Sequence, residues 1–227
     1  MHPTSDHFGR CRPCGAPTRP GHRCCYCCAV LARQLRAPLA PTVAVAPYRL
    51  GDRLHRLLRG YKDAPLAEVR TDRRLRLAGL VGEWLDRHGD HLRGRLGPWE
   101  VVVAVPPSRR PGPAPVEDLV AAVPALAPEL HRGLLVRGEV PVDHLVADRA
   151  GFRVVGPGLP GGRRRVLVVD DSVTTGARSQ SAVAALRGAG LEVVGVLVAG
   201  RAVAPDAAPW QAAYWAAHRA GLLPPGP

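Results

Sequence analysis

At 227 residues with 46% apolar content, the chain is long enough for one substantial core with a small appended module. No stretch approaches the roughly 18 uninterrupted apolar residues of a membrane span, and the opening MHPTSDHFGR lacks the apolar segment of a signal peptide, so a cytoplasmic protein is expected. The formal charge of +12 is carried almost wholly by arginine, Lys62 being the sole lysine; it suits polyanionic partners such as nucleic acid or phosphorylated metabolites, yet the arginines are scattered and a biased composition gives the same balance.

Residues 9–28, GRCRPCGAPTRPGHRCCYCC, are too polar and turn-rich to build a core. AVLARQL then starts a short helical pattern that ends near Pro38 and Pro41, VAVAPY reads as a strand, and LGDRLHRLLRGYK as a helix with leucines on one face and arginines on the other. From Leu66 to His91 apolar residues recur at three-and-four spacing (Leu75, Leu80, Trp84, Leu85), which predicts an amphipathic helix. EVVVAVPPS is an apolar run of strand length stopped by Pro106 and Pro107, and runs without alternation suit strands covered on both faces.

VEDLVAAV predicts a helix and GLLVR a short strand, before a loop-like segment from Gly138 to Arg165. VLVVDD is the next buried strand, GARSQSAVAALRGAG a helix with a glycine stop, EVVGVLVAG another strand, and WQAAYWAAHRAG a final helix before a Pro/Gly tail. Strands alternating with helices predict an α/β fold with a parallel sheet flanked by helices. The domain reading is a cysteine-rich module over 1–40, an α/β domain over 41–220 and a flexible tail over 221–227.

All six cysteines lie between Cys11 and Cys28. Cys11 and Cys14 make one C-x2-C pair, and CCYCC supplies two overlapping ones, Cys25 with Cys28 or Cys24 with Cys27. Four thiolates at this spacing make a closed tetrahedral zinc site whose binding energy would hold a segment that burial cannot. Spacing leaves the second pair open; Cys25 and Cys28 are favoured because Cys28 then abuts and anchors the AVLARQL helix. A redox-active cluster, a degenerate former site and a nucleic-acid-binding finger are the other readings of the motif.

VLVVDDSVTTGARSQS, residues 166–181, runs from four apolar residues into Asp170 and Asp171 and then into small hydroxyl residues and glycine at the start of a helix. In open parallel sheets ligands bind outside the carboxyl ends of strands, so the two aspartates are expected there, with solvent, a cation and ligand hydroxyls sharing their charge. Successive backbone N–H groups and a helix N-terminus suit a phosphate, Gly176 permits close approach, and the Thr174 and Thr175 hydroxyls add donors. The carboxylates beside it suit ribose hydroxyls or a hydrated magnesium ion.

This segment resembles the phosphoribosyl diphosphate signature of type I phosphoribosyltransferases. The wider order is similar to the ComF/GntX group of that superfamily: a four-cysteine motif, PYRLGDRLHRLLRGYKD, VPPSRR, DRAGFRV and then the signature. The resemblance implies a type I phosphoribosyltransferase-like sheet behind a zinc-ribbon-like module. It implies that Asp170 and Asp171 meet ribose hydroxyls with magnesium nearby, and that Ser172, Val173, Thr174, Thr175, Gly176 and Ala177 hold the 5′-phosphate. Ser108, Arg109 and Arg110 would meet the pyrophosphate, where guanidinium donors suit a diphosphate leaving group. The implied ligand is phosphoribosyl diphosphate and the implied reaction is displacement of pyrophosphate from the ribose by a nitrogen nucleophile, without a covalent intermediate.

His144, Asp148 and Arg149 fall near the expected lid over the reacting centre. Three departures bear on turnover more than on phosphate binding: Arg178 replaces a hydroxyl residue, the segment between Gly133 and Gly156 is short for a lid, and RRPGPAPVEDL replaces the usual stretch after the pyrophosphate loop. ComF-type members are associated with DNA uptake and processing, so the alternative implied role is a competence accessory that binds DNA or DNA-uptake proteins without turnover. Few aromatics, 4% of residues, argue that such contacts would be mainly electrostatic.

Overall fold

In a computed structural model, residues 8–107, 114–156 and 159–221 are described. The cysteine-rich segment forms a minimal antiparallel ribbon, β1 (Gly9–Arg10) with β2 (Pro17–Thr18), followed by α1 (Tyr26–Leu35). Asp52 caps α2 (Arg53–Asp63) by accepting from the His55 N–H at 2.8 Å. Next comes α3 (Ala67–Leu96), which at 30 residues runs a full turn past the expected end.

The uninterrupted apolar runs become the strands of one four-stranded sheet: β3 (Thr42–Tyr48), β4 (Val101–Ala104), β7 (Arg165–Val173) and β8 (Glu192–Ala202). Their order is β3-β8-β7-β4 and every pair is parallel. Between β4 and β7 lie α4 (Pro115–Ala121) and a separate antiparallel pair, β5 (Leu135–Arg137) with β6 (Phe152–Val154). After β7 come α5 (Ala177–Gly188), β8 and α6 (Pro209–Arg219).

Both faces of the sheet are covered, which is why its strands lack polar alternation. On one face Leu167, Val169, Val102 and Leu197 pack with Leu58, Leu77, Val81, Leu85, Leu92 and Leu119 from α2, α3 and α4. On the other, Val166, Val168, Val103 and Val196 pack with Ala182, Val183 and Leu186 of α5. Each fully buried aliphatic side chain contributes about 1.5–3 kcal/mol of transfer free energy. Two glycines of β8 let the helices close in: a Cβ on Gly195 would stand 2.7 Å from Leu96 Cδ1, and one on Gly200 would stand 2.6 Å from Leu58 Cδ1.

Two expectations are corrected. Leu75 is not on the buried stripe of α3; it is 57% exposed, because the helix is phased by Leu77, Ala78, Val81, Leu85, Leu92 and Leu96. The segment from Gly138 to Arg165 is not all loop: Phe152–Val154 pairs with the expected strand around Leu135, and the pair sits off the main sheet. Three residues of alternating pattern are too few to signal a strand without their partner. The tail residues 222–227 lie outside the described residues.

Candidate phosphate loop and cysteine cluster

β4 stops at Ala104, with the Val105 N–H still bonding the Val169 carbonyl at 2.9 Å, while β7 runs on to Val173 paired with β8 alone. Asp170 and Asp171 therefore lie inside the strand, not beyond its end. They are 3% and 1% exposed, which corrects the expectation that solvent shares their charge. Protein groups do this instead. The Tyr61 hydroxyl donates to Asp171 Oδ2 at 2.6 Å, the Lys62 ammonium makes an ion pair with the same oxygen, and the Ser172 hydroxyl donates to Oδ1 at 3.2 Å. Asp170 Oδ1 accepts the Asp171 N–H at 2.9 Å.

Strand alternation turns the two carboxylates to opposite faces, and their electrostatics diverge accordingly. Burial pushes the Asp170 carboxyl up to about 7, with the Asp171 charge adding to the rise and Arg178 opposing it. Burial would also raise Asp171, but the Lys62 ammonium and the Tyr61 hydroxyl outweigh it and hold that carboxyl below its ordinary value. Two adjacent aspartates are thus tolerated by becoming unlike: Asp171 is the ionised partner of Lys62, while Asp170 titrates near neutrality. Tyr61 and Lys62 were read in the sequence only as part of an amphipathic helix. The signal that could have marked them is the lone lysine of an arginine-rich chain, at the end of that helix.

After Val173, whose side chain is buried in the core, the chain turns through Thr174, Thr175 and Gly176 into α5. Gly176 has φ +94°, a left-handed conformation that glycine adopts without strain, and it caps α5 with no side chain in the way. Thr174 is exposed. The Thr175 hydroxyl donates to the His144 carbonyl, and its oxygen accepts the Ala177 N–H at 3.2 Å. The N–H groups of Arg178 and Ser179 in the first turn have no intrahelical acceptor, as at every helix start. Together with the helix dipole, the turn is a cradle of anion-binding character.

Arg178 reaches across to the end of β4 and donates to the Pro106 carbonyl at 2.9 Å, its Nε finding no partner among the described residues. It is half-buried and ties α5 to Pro106 just past β4. Ser108, Arg109 and Arg110, expected at the pyrophosphate, lie outside the described residues. His144 meets the turn through its main-chain carbonyl, which accepts from Thr175; Asp148 caps a short turn by accepting the Ala150 N–H at 2.7 Å, and Arg149 donates to the Leu35 and Arg36 carbonyls at the end of α1.

The sulfurs of Cys11, Cys14, Cys25 and Cys28 all lie within 4.8 Å of one another, the only such group of His, Cys, Asp or Glu among the described residues. Cys24 is exposed and Cys27 stands outside the group. Four sulfurs at zinc–sulfur distances of about 2.3 Å around one ion stand about 3.8 Å apart, and Cys14 and Cys25 are separated by 3.8 Å. The Cys25 N–H donates to Cys11 Sγ at 3.2 Å and the Cys28 N–H to Cys25 Sγ at 3.4 Å, the bonds that a thiolate needs. Hydrogen bonding from Cys11 pulls the Cys25 thiol down to about 3. The residues fit a metal such as zinc, which would close the ribbon against the start of α1. Cys25 also caps that helix.

The acidic pair answers differently to magnesium, which takes six oxygens including waters. Asp171 Oδ2 already holds both Tyr61 and Lys62, and among the described residues no third acidic or histidine side chain joins the pair. As arranged, these residues do not fit a resident magnesium ion. A cavity of about 600 Å³ lies beside the loop, between Thr174 and Thr175, Tyr48, Cys14 and Cys25, and Trp210. Tyr48 stands next to Ser172 and Thr174, and burial raises its hydroxyl above the ordinary value.

No family profile matches the chain. A segment of 55 residues, 24% of the chain, is 54% identical to an orotate phosphoribosyltransferase of Corynebacterium glutamicum (strain R). The segment is similar to a phosphoribosyltransferase. The orotate phosphoribosyltransferase of a second strain of that organism, ATCC 13032, matches equally, and in both cases the likeness spans 29% of the enzyme's length. The likeness supports a relation to the type I phosphoribosyltransferase superfamily over that part of the chain.

Proposed function

We propose that the chain binds phosphoribosyl diphosphate at the Asp170–Ala177 loop and is a phosphoribosyltransferase-like protein of the ComF/GntX kind. The observation that carries the reading is the turn itself: two buried aspartates inside the last residues of a parallel strand are followed, past Val173, by Thr174, Thr175 and a left-handed Gly176 leading into a helix N-terminus, beside an open cavity. The 5′-phosphate would take the backbone N–H groups of the turn, with the Thr174 hydroxyl as a further donor. The ribose would lie toward the acidic pair, and magnesium would arrive on the ligand's own diphosphate. Transfer of the phosphoribosyl group to a nitrogen acceptor is the reaction this placement suits, with rate supplied by positioning and by cationic groups at the departing diphosphate.

Calorimetric titration of phosphoribosyl diphosphate with Mg2+ tests the reading, with Thr174→Glu as the paired variant. The side chain is exposed, so the fold should tolerate it, while its carboxylate repels a phosphate in the turn. Saturable binding that the substitution weakens by at least about tenfold supports the site. Absence of binding to the wild-type chain rejects it.

A second reading, the binding of DNA in competence, is favoured by the arginines Arg49, Arg53, Arg56 and Arg59, all exposed along one end and flank of α2, and by the +12 charge. Affinity for single-stranded DNA should then fall steeply with salt. Binding that does not respond to salt, or none at low salt, removes it.

A further inference from the structure

The chain's one lysine sits where its acidic site needs a cation. Lys62, next to last in α2, reaches Asp171 Oδ2 with its side chain 27% exposed and that of Asp171 1% exposed. The Tyr61 hydroxyl shares the oxygen at 2.6 Å, and Ser172 holds the other oxygen at 3.2 Å. A carboxylate this deep stays ionised only beside a compensating positive charge. A divalent ion is one solution; a primary ammonium is another, being a compact point charge with three donors, whereas a guanidinium is a broad planar fork. All other basic side chains that carry a fixed charge in this chain are arginines, and lysine occurs at the single position where a compact cation meets a buried aspartate.

We propose that the Lys62 ammonium is the built-in cation of the Asp170–Asp171 site, holding at Asp171 Oδ2 the place a divalent ion would take, so that the aspartate pair has no metal of its own. Tyr61 fixes the geometry by donating to the same oxygen, and the solvent-facing part of the ammonium offers the remaining donors to a ligand's hydroxyl or phosphate oxygen. The inference deepens the phosphoribosyl reading of the loop, but its test uses metal alone, so failure of phosphoribosyl diphosphate to bind would leave it standing.

The test is Mn2+ binding followed by electron paramagnetic resonance on the zinc-loaded full chain at pH 7.5. Wild type should leave the free Mn2+ signal unchanged. Lys62→Met should bind one Mn2+ at least about tenfold more tightly than wild type, because the abandoned carboxylate then seeks another cation. The double variant Lys62→Met with Asp171→Asn should lose that gain. Stoichiometric Mn2+ binding by wild type that Asp171→Asn abolishes would overturn the proposal, as would a folded Lys62→Met that gains no Mn2+. If Lys62→Met folds only when Mn2+ is added, the proposal is supported; if Mn2+ cannot restore it, the cation role is overturned.

Discussion

Asp170 and Asp171 are neighbours in sequence with opposite fates. Asp170 is raised to about 7 by burial, so its contribution to stability is present below its ordinary value of 3.8 and is lost as pH rises through about 7. Asp171, lowered by Lys62 and Tyr61 against its burial, contributes above the ordinary carboxylate value and loses that contribution as pH falls. Asp170→Asn keeps an oxygen for the Asp171 N–H and removes only the titration. Its stability relative to wild type should therefore grow from pH 5 to pH 8, by roughly 3 kcal/mol at about 1.4 kcal/mol per pH unit of separation up to about 7. Denaturant unfolding at the two pH values measures this, and a constant difference would show that Asp170 is ionised in the fold throughout. That the sequence shows two aspartates but not this split has a physical cause. Burial and the reach of Lys62 across a sequence distance of about 110 residues belong to tertiary packing, whereas the loop chemistry of Thr174, Thr175 and Gly176 is local and can be read directly.

At the scale of elements, the same distinction separates what was legible from what was not. Apolar runs such as VVVAV and VLVV declare buried strands by composition alone, and their parallel pairing follows from the helices between them. The phase of α3 was less legible, because leucines stud several of its faces and only packing selects one. Leu92→Ala should cost about 2–5 kcal/mol by leaving a cavity, whereas Leu75→Ala, at an exposed site, should stay within about 0.5 kcal/mol. Equal losses in chemical unfolding would mean that the helix is rotated from the phase described. The cysteine ribbon was legible as a metal motif but ambiguous in its second pair. Geometry groups Cys25 and Cys28 with Cys11 and Cys14, and zinc content tests whether that group binds metal: Cys25→Ser or Cys28→Ser should lower bound zinc well below one equivalent, while Cys24→Ser and Cys27→Ser should leave it unchanged. Zinc loss in the latter pair would contradict the assignment.

Across the whole molecule, the cysteine ribbon and the Thr174–Ala177 turn are mechanically continuous. Cys25 and Cys28 start α1; Leu31 and Leu35 on that helix pack with Ala177, and Leu31 Cδ1 lies 3.6 Å from where a Cβ on Gly176 would stand. The Cys14 carbonyl accepts from the buried Arg201 at the end of β8, and Gln180 of α5 bonds both the N–H and the carbonyl of Ala40 at 3.0 and 2.9 Å. A module that begins as an autonomous-looking motif in the sequence thus lines the cavity beside the turn. Leu31→Ala should weaken phosphoribosyl diphosphate binding by about threefold to tenfold with zinc retained, because the loop loses its packing partner; unchanged affinity would show that the two parts are independent.

The central claim is that the Asp170–Ala177 turn is where a phosphoribosyl ligand binds. Hydrogen–deuterium exchange followed by mass spectrometry, with and without saturating phosphoribosyl diphosphate, addresses it most directly. Slowed exchange confined to peptides covering residues 170–179 and the end of α2 is the predicted result. Protection elsewhere, with the turn unchanged, would contradict it.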